Sequence, residues 1–154
     1  MKLSMKSDYA LRAMFTLVEF HGRGPIPIRE LARRNEVPKR FLEHIMIDLK
    51  SKGWVKSTPG RDGGYELAKP PTQITMGQIV RHFDGIMAPI GCVSISGYRP
   101  CSQEPVCRFR RVLLEIRNHT ARLMDESTLA DVFEGKLVTQ DEVFSEKLIA
   151  GAGI

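Results

Sequence analysis

The sequence predicts a mainly α-helical protein that contains one small β-hairpin. Apolar residues recur at helical spacing in several segments, most clearly over residues 8–21, 39–52 and 106–125. Two short strand-like runs flank a turn rich in glycine near residue 60. The longest helical pattern comes late in the chain and stands apart from the others. We therefore expect a front domain of short elements followed by a long, separate helix.

The first two helices are predicted from their apolar faces. In residues 8–21, Leu11, Phe15 and Val18 fall on one face of a mostly buried helix, and Ser7 is its expected N-cap. A second, short helix is expected at residues 28–35, with its apolar side chains facing inward.

A turn at residues 35–38 then leads to a third helix, at about 39–52. Pro38 suits the start of this helix because a proline there gives up no needed hydrogen bond. The polar side chains stay outside, and the apolar ones point to the core: Phe41, Leu42, Ile45, Met46 and Leu49. We also expect Trp54 and Phe83 to belong to the core.

Two strand candidates, residues 54–57 and 65–67, follow the third helix. The turn TPGRDGG between them is compatible with a hairpin that contains positive φ angles. A further helix at 76–84 is expected to open with Thr75 and Gln78, which have the spacing of a capping box. Helix, short helix, turn, exposed polar helix and hairpin, in that order, make a winged helix-turn-helix, so we assign residues 1–84 to a DNA-binding domain.

The rest of the chain divides into three parts. Residues 85–105 form a loop that contains cysteines, and residues 106–135 hold the long helix. A lone amphipathic helix needs a cover for its apolar face, and a second copy across a two-fold axis supplies one, so we expect a homodimer. Residues 136–154 form an acidic tail that we expect to be poorly ordered.

The charge distribution points to a polyanionic partner. Residues 1–70 hold 14 Lys and Arg against 8 Asp and Glu, whereas residues 125–154 hold 2 against 7. A basic front with an acidic tail is typical of a nucleic-acid-binding domain with an attached tail, although a basic surface without a partner has the same pattern. No secretory signal and no apolar run of about 18 residues is visible, so we expect a cytoplasmic protein without a membrane contact.

Three cysteines, Cys92, Cys101 and Cys107, fall within sixteen residues, and the rest of the chain has none. An odd number at such close spacing is a poor disulfide framework, but it suits soft ligands for a metal or an iron–sulfur centre. Two alternatives remain: a Zn site completed by one more ligand, and three thiols that bind nothing.

Several segments resemble the Rrf2 family of bacterial winged-helix transcription regulators. They are MKLSMKSDYALRAM at the start, VPKRFLEHIMIDLKSKGWVKS, GGYELAKP after the wing, the loop with three cysteines, and TLADVF. The resemblance covers about residues 1–135. It implies a homodimer that pairs through the long helix, and in several members a [2Fe–2S] or [4Fe–4S] cluster held by three cysteines.

The resemblance also implies a fourth cluster ligand. Asp8 matches the aspartate that nitric-oxide-sensing members supply from the partner subunit. Arg110 stands where the regulator of iron–sulfur biogenesis has a histidine ligand, so that position cannot provide the donor here. His119, Glu104 or a solvent oxygen are the alternatives to Asp8.

The helix-turn-helix pattern also predicts the residues that contact DNA. The N-terminal end of the third helix should enter the major groove, where Lys39 and Arg40 can reach guanine edges or phosphates and Glu43 can accept from cytosine. His44 is a further candidate on the same surface. Contacts with phosphates are expected from four basic residues: Arg12, Lys50, Lys56 and Arg61.

These observations predict a transcription regulator, most simply a repressor, whose affinity for a palindromic promoter is controlled by an iron–sulfur cluster. The main alternative is a regulator without a cluster, in which the thiols sense oxidants or bind Zn. An electron carrier or a protein-interaction adaptor fits the basic helix-turn-helix less well. The chain has no Ser–His–Asp set, phosphate-binding glycine loop or zinc-protease motif, so we do not expect an enzyme.

Overall fold

Seven α-helices and one two-stranded sheet make up the part of the chain that this computed structural model describes, residues 2–85 and 87–144. The elements are α1 Met5–Glu19, α2 Ile28–Asn35, α3 Lys39–Ser51, β1 Val55–Thr58, β2 Gly64–Leu67, α4 Met76–Asp84, α5 Arg110–Glu126, α6 Leu129–Glu134 and α7 Gln140–Val143. Short 3₁₀ turns lie at Pro71–Gln73 and Gly91–Val93. The predicted fold class, mainly α with one hairpin, is confirmed.

Helix α1 begins one turn earlier than the sequence predicts. Its N-cap is Ser4, whose side-chain oxygen accepts a hydrogen bond from the backbone N–H of Ser7 at 3.2 Å. Ser7 itself is completely buried inside the helix, so its prediction as the N-cap is wrong. The backbone N–H of Ser4 also donates to a carboxylate oxygen of Asp84 at 3.0 Å, a contact across 80 residues that local sequence cannot reveal.

The core forms where α1, α2 and α3 pack together. Met14, Leu31 and Leu42 are completely buried, and so are the inner residues Ile45, Met46 and Leu49 of α3. Trp54 is 8% exposed, which confirms it as a core residue, while Phe41 and Phe83 pack against the core with part of their surface exposed. The inward face predicted for α3 is therefore the one observed. In α1, Leu11 is buried as predicted, but Phe15 and Val18 are only partly buried, and Leu17 takes the more central position.

The hairpin is antiparallel and is attached to the start of α2. Its register pairs Val55 with Leu67 and Thr58 with Gly64, which places both strands one residue from their predicted bounds. Tyr65 exchanges two backbone hydrogen bonds with Ile26, at 2.8 and 2.9 Å. A Cβ on Gly64 would lie 2.2 Å from the Ile26 carbonyl oxygen, so this close approach requires glycine.

Helix α4 connects the front domain to the later helices. The predicted capping box of Thr75 and Gln78 is present, with both hydrogen bonds at 3.2 Å. At the other end of α4, burial raises the pKa of Asp84, but the hydrogen bonds that Ser4 donates outweigh this effect and leave the pKa below its usual value. Arg81 forms an ion pair with Asp125 of α5. These ties hold α4 against both α1 and α5.

Helix α5 begins at Arg110, four residues later than predicted. The preceding residues 102–106 form turns, in which the Glu104 carboxylate accepts from the backbone N–H of Cys101 at 3.1 Å. No residue of α5 is buried within the single chain. Val112, Ile116 and Leu123, spaced along one face, are 57%, 48% and 58% exposed, so this apolar stripe lacks a cover in one copy of the chain.

After α6, the described part of the predicted tail includes the short helix α7, capped by Thr139. Residues 145–154, the remainder of the tail that we expected to be poorly ordered, lie outside the described residues. Within the described ranges, none of the helices has the length and apolarity needed to span a bilayer.

Two isoleucines on α3 allow a matched test of the core. Ile45 is completely buried and Ile47 is 59% exposed. We expect Ile45→Ala to lower the free energy of unfolding by about 2–5 kcal/mol, because it leaves a cavity that the core cannot fully close. Ile47→Ala should change it by less than about 0.5 kcal/mol. Urea unfolding monitored by circular dichroism measures both, and equal losses would contradict the assigned face of α3.

Candidate nucleic-acid interface and cysteine site

The outer face of α3 presents the residues predicted to read bases. Lys39, Arg40 and His44 are exposed at its N-terminal half, directly after Pro38. The ammonium of Lys39 lies 3.3 Å from the carboxylate of Glu43, so these two side chains are paired in the free chain. Four predicted base-contacting residues thus share one short, accessible surface.

Three of the four predicted phosphate contacts lie at the end of α3 and on the wing. Lys50, near the end of α3, donates to the Ser57 hydroxyl of β1 at 2.6 Å, which joins the helix to the wing. Lys56 lies 3.3 Å from Glu66 across the hairpin. Arg61 is exposed at the tip of the wing. The wing therefore carries cations along its length and is fixed to α3.

Sequence reasoning missed Ile47, which lies on the exposed side of α3 among the polar residues. Positions 40, 44 and 47 have helical spacing, and this pattern could have identified Ile47 as a residue on the same exposed face as Arg40 and His44.

By contrast, Arg33 and Arg34 of α2 are both held by Glu30, and their hydrogen bonds lower the pKa of that carboxyl to about 2. We therefore do not add these two arginines to the candidate DNA contacts.

Asp8 and Arg12, predicted for different sites, form an ion pair one turn apart on α1. The guanidinium lies 2.8 Å from the carboxylate, and both side chains are nearly half exposed. The Arg12 guanidinium also lies 5.8 Å from the ring centroid of Tyr9. Asp8 is thus an accessible carboxylate whose present partner is a predicted phosphate-binding residue.

The three cysteines line a single cavity of about 360 Å³ between the 3₁₀ turn at Gly91–Val93 and the start of α5. All three are free thiols: Cys92 is buried, Cys107 is partly buried and Cys101 is exposed. Glu104 lines the same cavity, whereas Asp8 and His119 are not among its lining residues. The chain by itself therefore brings together three sulfur donors and one carboxylate.

A network of hydrogen bonds, which the sequence did not reveal, organises this cavity. Arg110 donates to the Cys92 carbonyl oxygen at 2.8 Å and lies 3.0 Å from the carboxylate of Glu104. The hydroxyl of Tyr98 donates to Glu104 at 2.8 Å, and the backbone N–H of Cys101 donates to it as well. These bonds, that of Tyr98 foremost, lower the pKa of Glu104. An ionised Glu104 thus links the positions of two cysteines.

Thiolates are ligands for zinc and for iron–sulfur clusters alike. Within residues 2–85 and 87–144, no group of three His, Cys, Asp or Glu side chains is arranged to hold a single metal ion. The three cysteines nevertheless line one cavity, where their sulfurs would be the ligands of either kind of centre.

Positive charge adjoins the cavity on the side of α5. A second cavity, of about 470 Å³, shares Cys92, Cys107 and Glu104 with the first and is also lined by Arg110, Arg111 and Arg117. The Nε atom of Arg117 is buried without a hydrogen-bond partner. Arginines at a helix N-terminus oppose the helix dipole, and a bound anionic group would offset that cost.

Comparison with known proteins identifies relatives along most of the chain. The model of the Rrf2 family, described as "Iron-dependent Transcriptional regulator", matches residues 3–135. A putative HTH-type transcriptional regulator, rrf2-like, of Rhodobacter capsulatus is 40% identical, and the match covers 84% of this chain and 91% of that protein. The regulator NsrR of Geobacillus kaustophilus is 31% identical, over 88% of this chain and 92% of its own length.

Solved structures share the fold. CymR (YrzC), the global cysteine regulator of Bacillus subtilis, has a TM-score of 0.74 and 32% sequence identity, and the match covers 86% of this chain and 96% of that one. IscR of T. potens has a TM-score of 0.69 and 28% identity, with 87% of both chains covered.

The contact between Arg110 and the Cys92 carbonyl oxygen can be tested through thiol reactivity. Arg110→Met removes a charge-assisted hydrogen bond, and the segment around Cys92 should then open roughly ten-fold more often. We expect a comparable rise in the alkylation rate of Cys92 in the reduced, metal-free chain, measured by mass spectrometry. Arg122→Met, a change at an exposed arginine of α5 that lines neither cavity, is the control. The same Cys92 rate in both variants would contradict this role for Arg110.

Proposed function

This chain belongs to the Rrf2 family of transcription regulators, and on that premise we propose that it is a homodimeric, cytoplasmic repressor whose affinity for a promoter depends on an iron–sulfur cluster. Family membership confirms the resemblance drawn from the sequence. It makes the chain a DNA-binding transcription regulator and, like its relatives, not an enzyme. The observation that carries the finer proposal is the cavity shared by Cys92, Cys101 and Cys107 beside α5.

DNA reading is assigned to the exposed face of α3. Lys39 and Arg40 reach guanine edges or phosphates, and Glu43 accepts from the amino group of cytosine. The 3.3 Å pair between Lys39 and Glu43 separates when each finds its partner on the duplex. His44 lies at the edge of the same surface, while Arg61, Lys56 and Lys50 approach the backbone from the wing side.

Dimerisation is assigned to α5. Its stripe of Val112, Ile116 and Leu123 is about half exposed, although burying such side chains is favourable by about 1.5–3 kcal/mol each. Packing against the same stripe of a second copy covers it under two-fold symmetry. The two α3 helices of the dimer then face a palindromic operator, with half-sites one helical turn or a multiple of it apart.

The cofactor we propose is a [4Fe–4S] or [2Fe–2S] cluster, held by the three cysteine thiolates. Such a group supplies sensitivity to redox state and to small reactive molecules. We propose Asp8 of the partner subunit as the fourth donor. In this chain the Asp8 carboxylate pairs with Arg12. To serve as a ligand it must leave that pair, and the exposed Arg12 guanidinium then becomes available to a phosphate.

The path from the cysteine loop to the DNA-binding domain runs through α4. The loop starts directly after this helix, whose last residue Asp84 holds the Ser4 cap of α1. Arg81 of the same helix is paired with Asp125 at the end of α5. A change in the loop therefore acts on α1, which carries Asp8 and Arg12, and on the dimer helix.

A cluster-free thiol sensor is the second candidate, and two observations favour it. Cys101 is exposed and open to oxidation. The fold is also shared with CymR of Bacillus subtilis, whose structure is described as that of a global cysteine regulator. In this alternative the cavity holds reduced thiols or one Zn ion instead of a cluster.

Metal analysis of the protein purified without oxygen distinguishes these candidates. We expect iron and acid-labile sulfide in about equal amounts, together with a visible absorption band, because bridging sulfide is particular to clusters. A variant with Cys92, Cys101 and Cys107 all changed to Ala should bind neither. Zinc without sulfide, or a colourless protein with three reactive thiols, would instead establish the second candidate.

Salt dependence tests the DNA interface. For a duplex that the full chain selects from a random pool, log affinity should fall linearly with log salt concentration. Arg61→Ala should weaken binding to selected and random duplexes alike and reduce that slope by about one, because one phosphate contact is lost. Lys136→Ala, in the segment after α6, is the control and should leave the slope unchanged. An unchanged slope for Arg61→Ala would remove the wing from the interface.

A further inference from the structure

An apolar groove lies between the N-terminal ends of α1 and α3. Its volume is about 390 Å³, and six residues line it: Met5, Tyr9, Pro38, Arg40, Phe41 and His44. The rings of Tyr9 and Phe41, both in this lining, pack edge to face with centroids 5.6 Å apart. Met5 is 65% exposed at its side. Carbon surface of this extent, open to water, is costly unless something covers it.

The rim of this groove is positively charged. Lys39 and Arg40 are exposed beside it, and the Arg12 guanidinium lies 5.8 Å from the Tyr9 ring centroid. A ligand that matches both the apolar groove and its positively charged rim is an apolar group within a polyanion. In the major groove of DNA this description fits one group, the C5-methyl of thymine, which lies among base edges and between two rows of phosphates.

The position of the groove agrees with that occupant. In a helix-turn-helix, the N-terminal residues of the second helix of the motif contact base edges. Pro38, Arg40, Phe41 and His44 are at this end of α3. The carbon surface is therefore on the part of the protein that approaches the bases, and the cations around it are placed to meet the backbone.

We propose that this groove receives thymine C5-methyl groups and thereby selects thymine at a defined position in each half-site. The inference rests on the proposed function, since α3 must enter the major groove. Met5, Tyr9 and Phe41 supply the apolar contact, and Arg40 and His44 contact neighbouring base edges. The groove holds more than a single methyl group, so two adjacent thymines can share it.

Replacing thymine by deoxyuridine removes the methyl group and leaves every hydrogen-bonding group in place. In a duplex that the full chain selects from a random pool, each thymine is replaced in turn, and affinity is measured by fluorescence anisotropy. At one or two positions in each half-site we expect a loss of about four-fold, the effect of one buried methyl. The other thymines should be replaceable without loss.

A double-mutant cycle assigns that loss to the groove. Met5→Ser removes one wall at an exposed position where the fold does not depend on it. In this variant the deoxyuridine penalty should fall below about two-fold, because the methyl no longer has its contact. Leu137→Ser is the matched control, since it removes an 88% exposed apolar side chain after α6, and it should keep the full penalty.

Three results would overturn the inference. A selected duplex that is indifferent to deoxyuridine at every position would refute it alone and leave the regulator's function standing. An undiminished penalty in Met5→Ser, together with an altered oligomeric state, would identify the groove as a contact between copies. Failure to select any duplex would refute the proposed function as well.

Discussion

Helix α4 is held at its C-terminal end by Asp84, which binds the Ser4 cap of α1, and along its length by Arg81, which pairs with Asp125 of α5. These contacts join residues 80 and 44 positions apart. Both are polar and partly exposed, so each one contributes little to stability. Their effect is positional, because together they fix α4 relative to α1 and α5. Gly77 strengthens this constraint, since a Cβ there would lie 3.1 Å from the backbone of Met124.

The cysteine loop is attached at both ends to the helices that these contacts hold, α4 and α5. The loop runs from the end of α4 to the start of α5, and Arg110 holds it at the α5 end through the Cys92 carbonyl. Glu104 lies in this loop and pairs with Arg110 at 3.0 Å. In the function that we propose, a cofactor held by the three thiols would rearrange these bonds. The change would reach α4 and α5 because the loop is continuous with both helices.

Local patterns in the sequence were sufficient to predict the three front helices, the hairpin, the capping box at Thr75 and the core face of α3. Features set by distant contacts were not predictable. Ser4 caps α1 because Asp84 reaches it, and α5 starts at Arg110 because Glu104 folds the preceding turn. The grouping of the cysteines could be expected from their spacing, but the tie between Arg110 and Cys92 could not. The groove at Met5 combines two helices, and no single apolar pattern reveals it.

In the function that we propose, cofactor occupancy at the thiol cavity sets the affinity for promoter DNA. Its most direct test follows one anaerobic sample while a chelator removes iron in steps, with bound iron and operator affinity measured on each aliquot. We expect the affinity to change in proportion to the iron lost, by roughly ten-fold or more over the full range, as typical coupling free energies imply. Constant affinity from fully loaded to iron-free protein would contradict it.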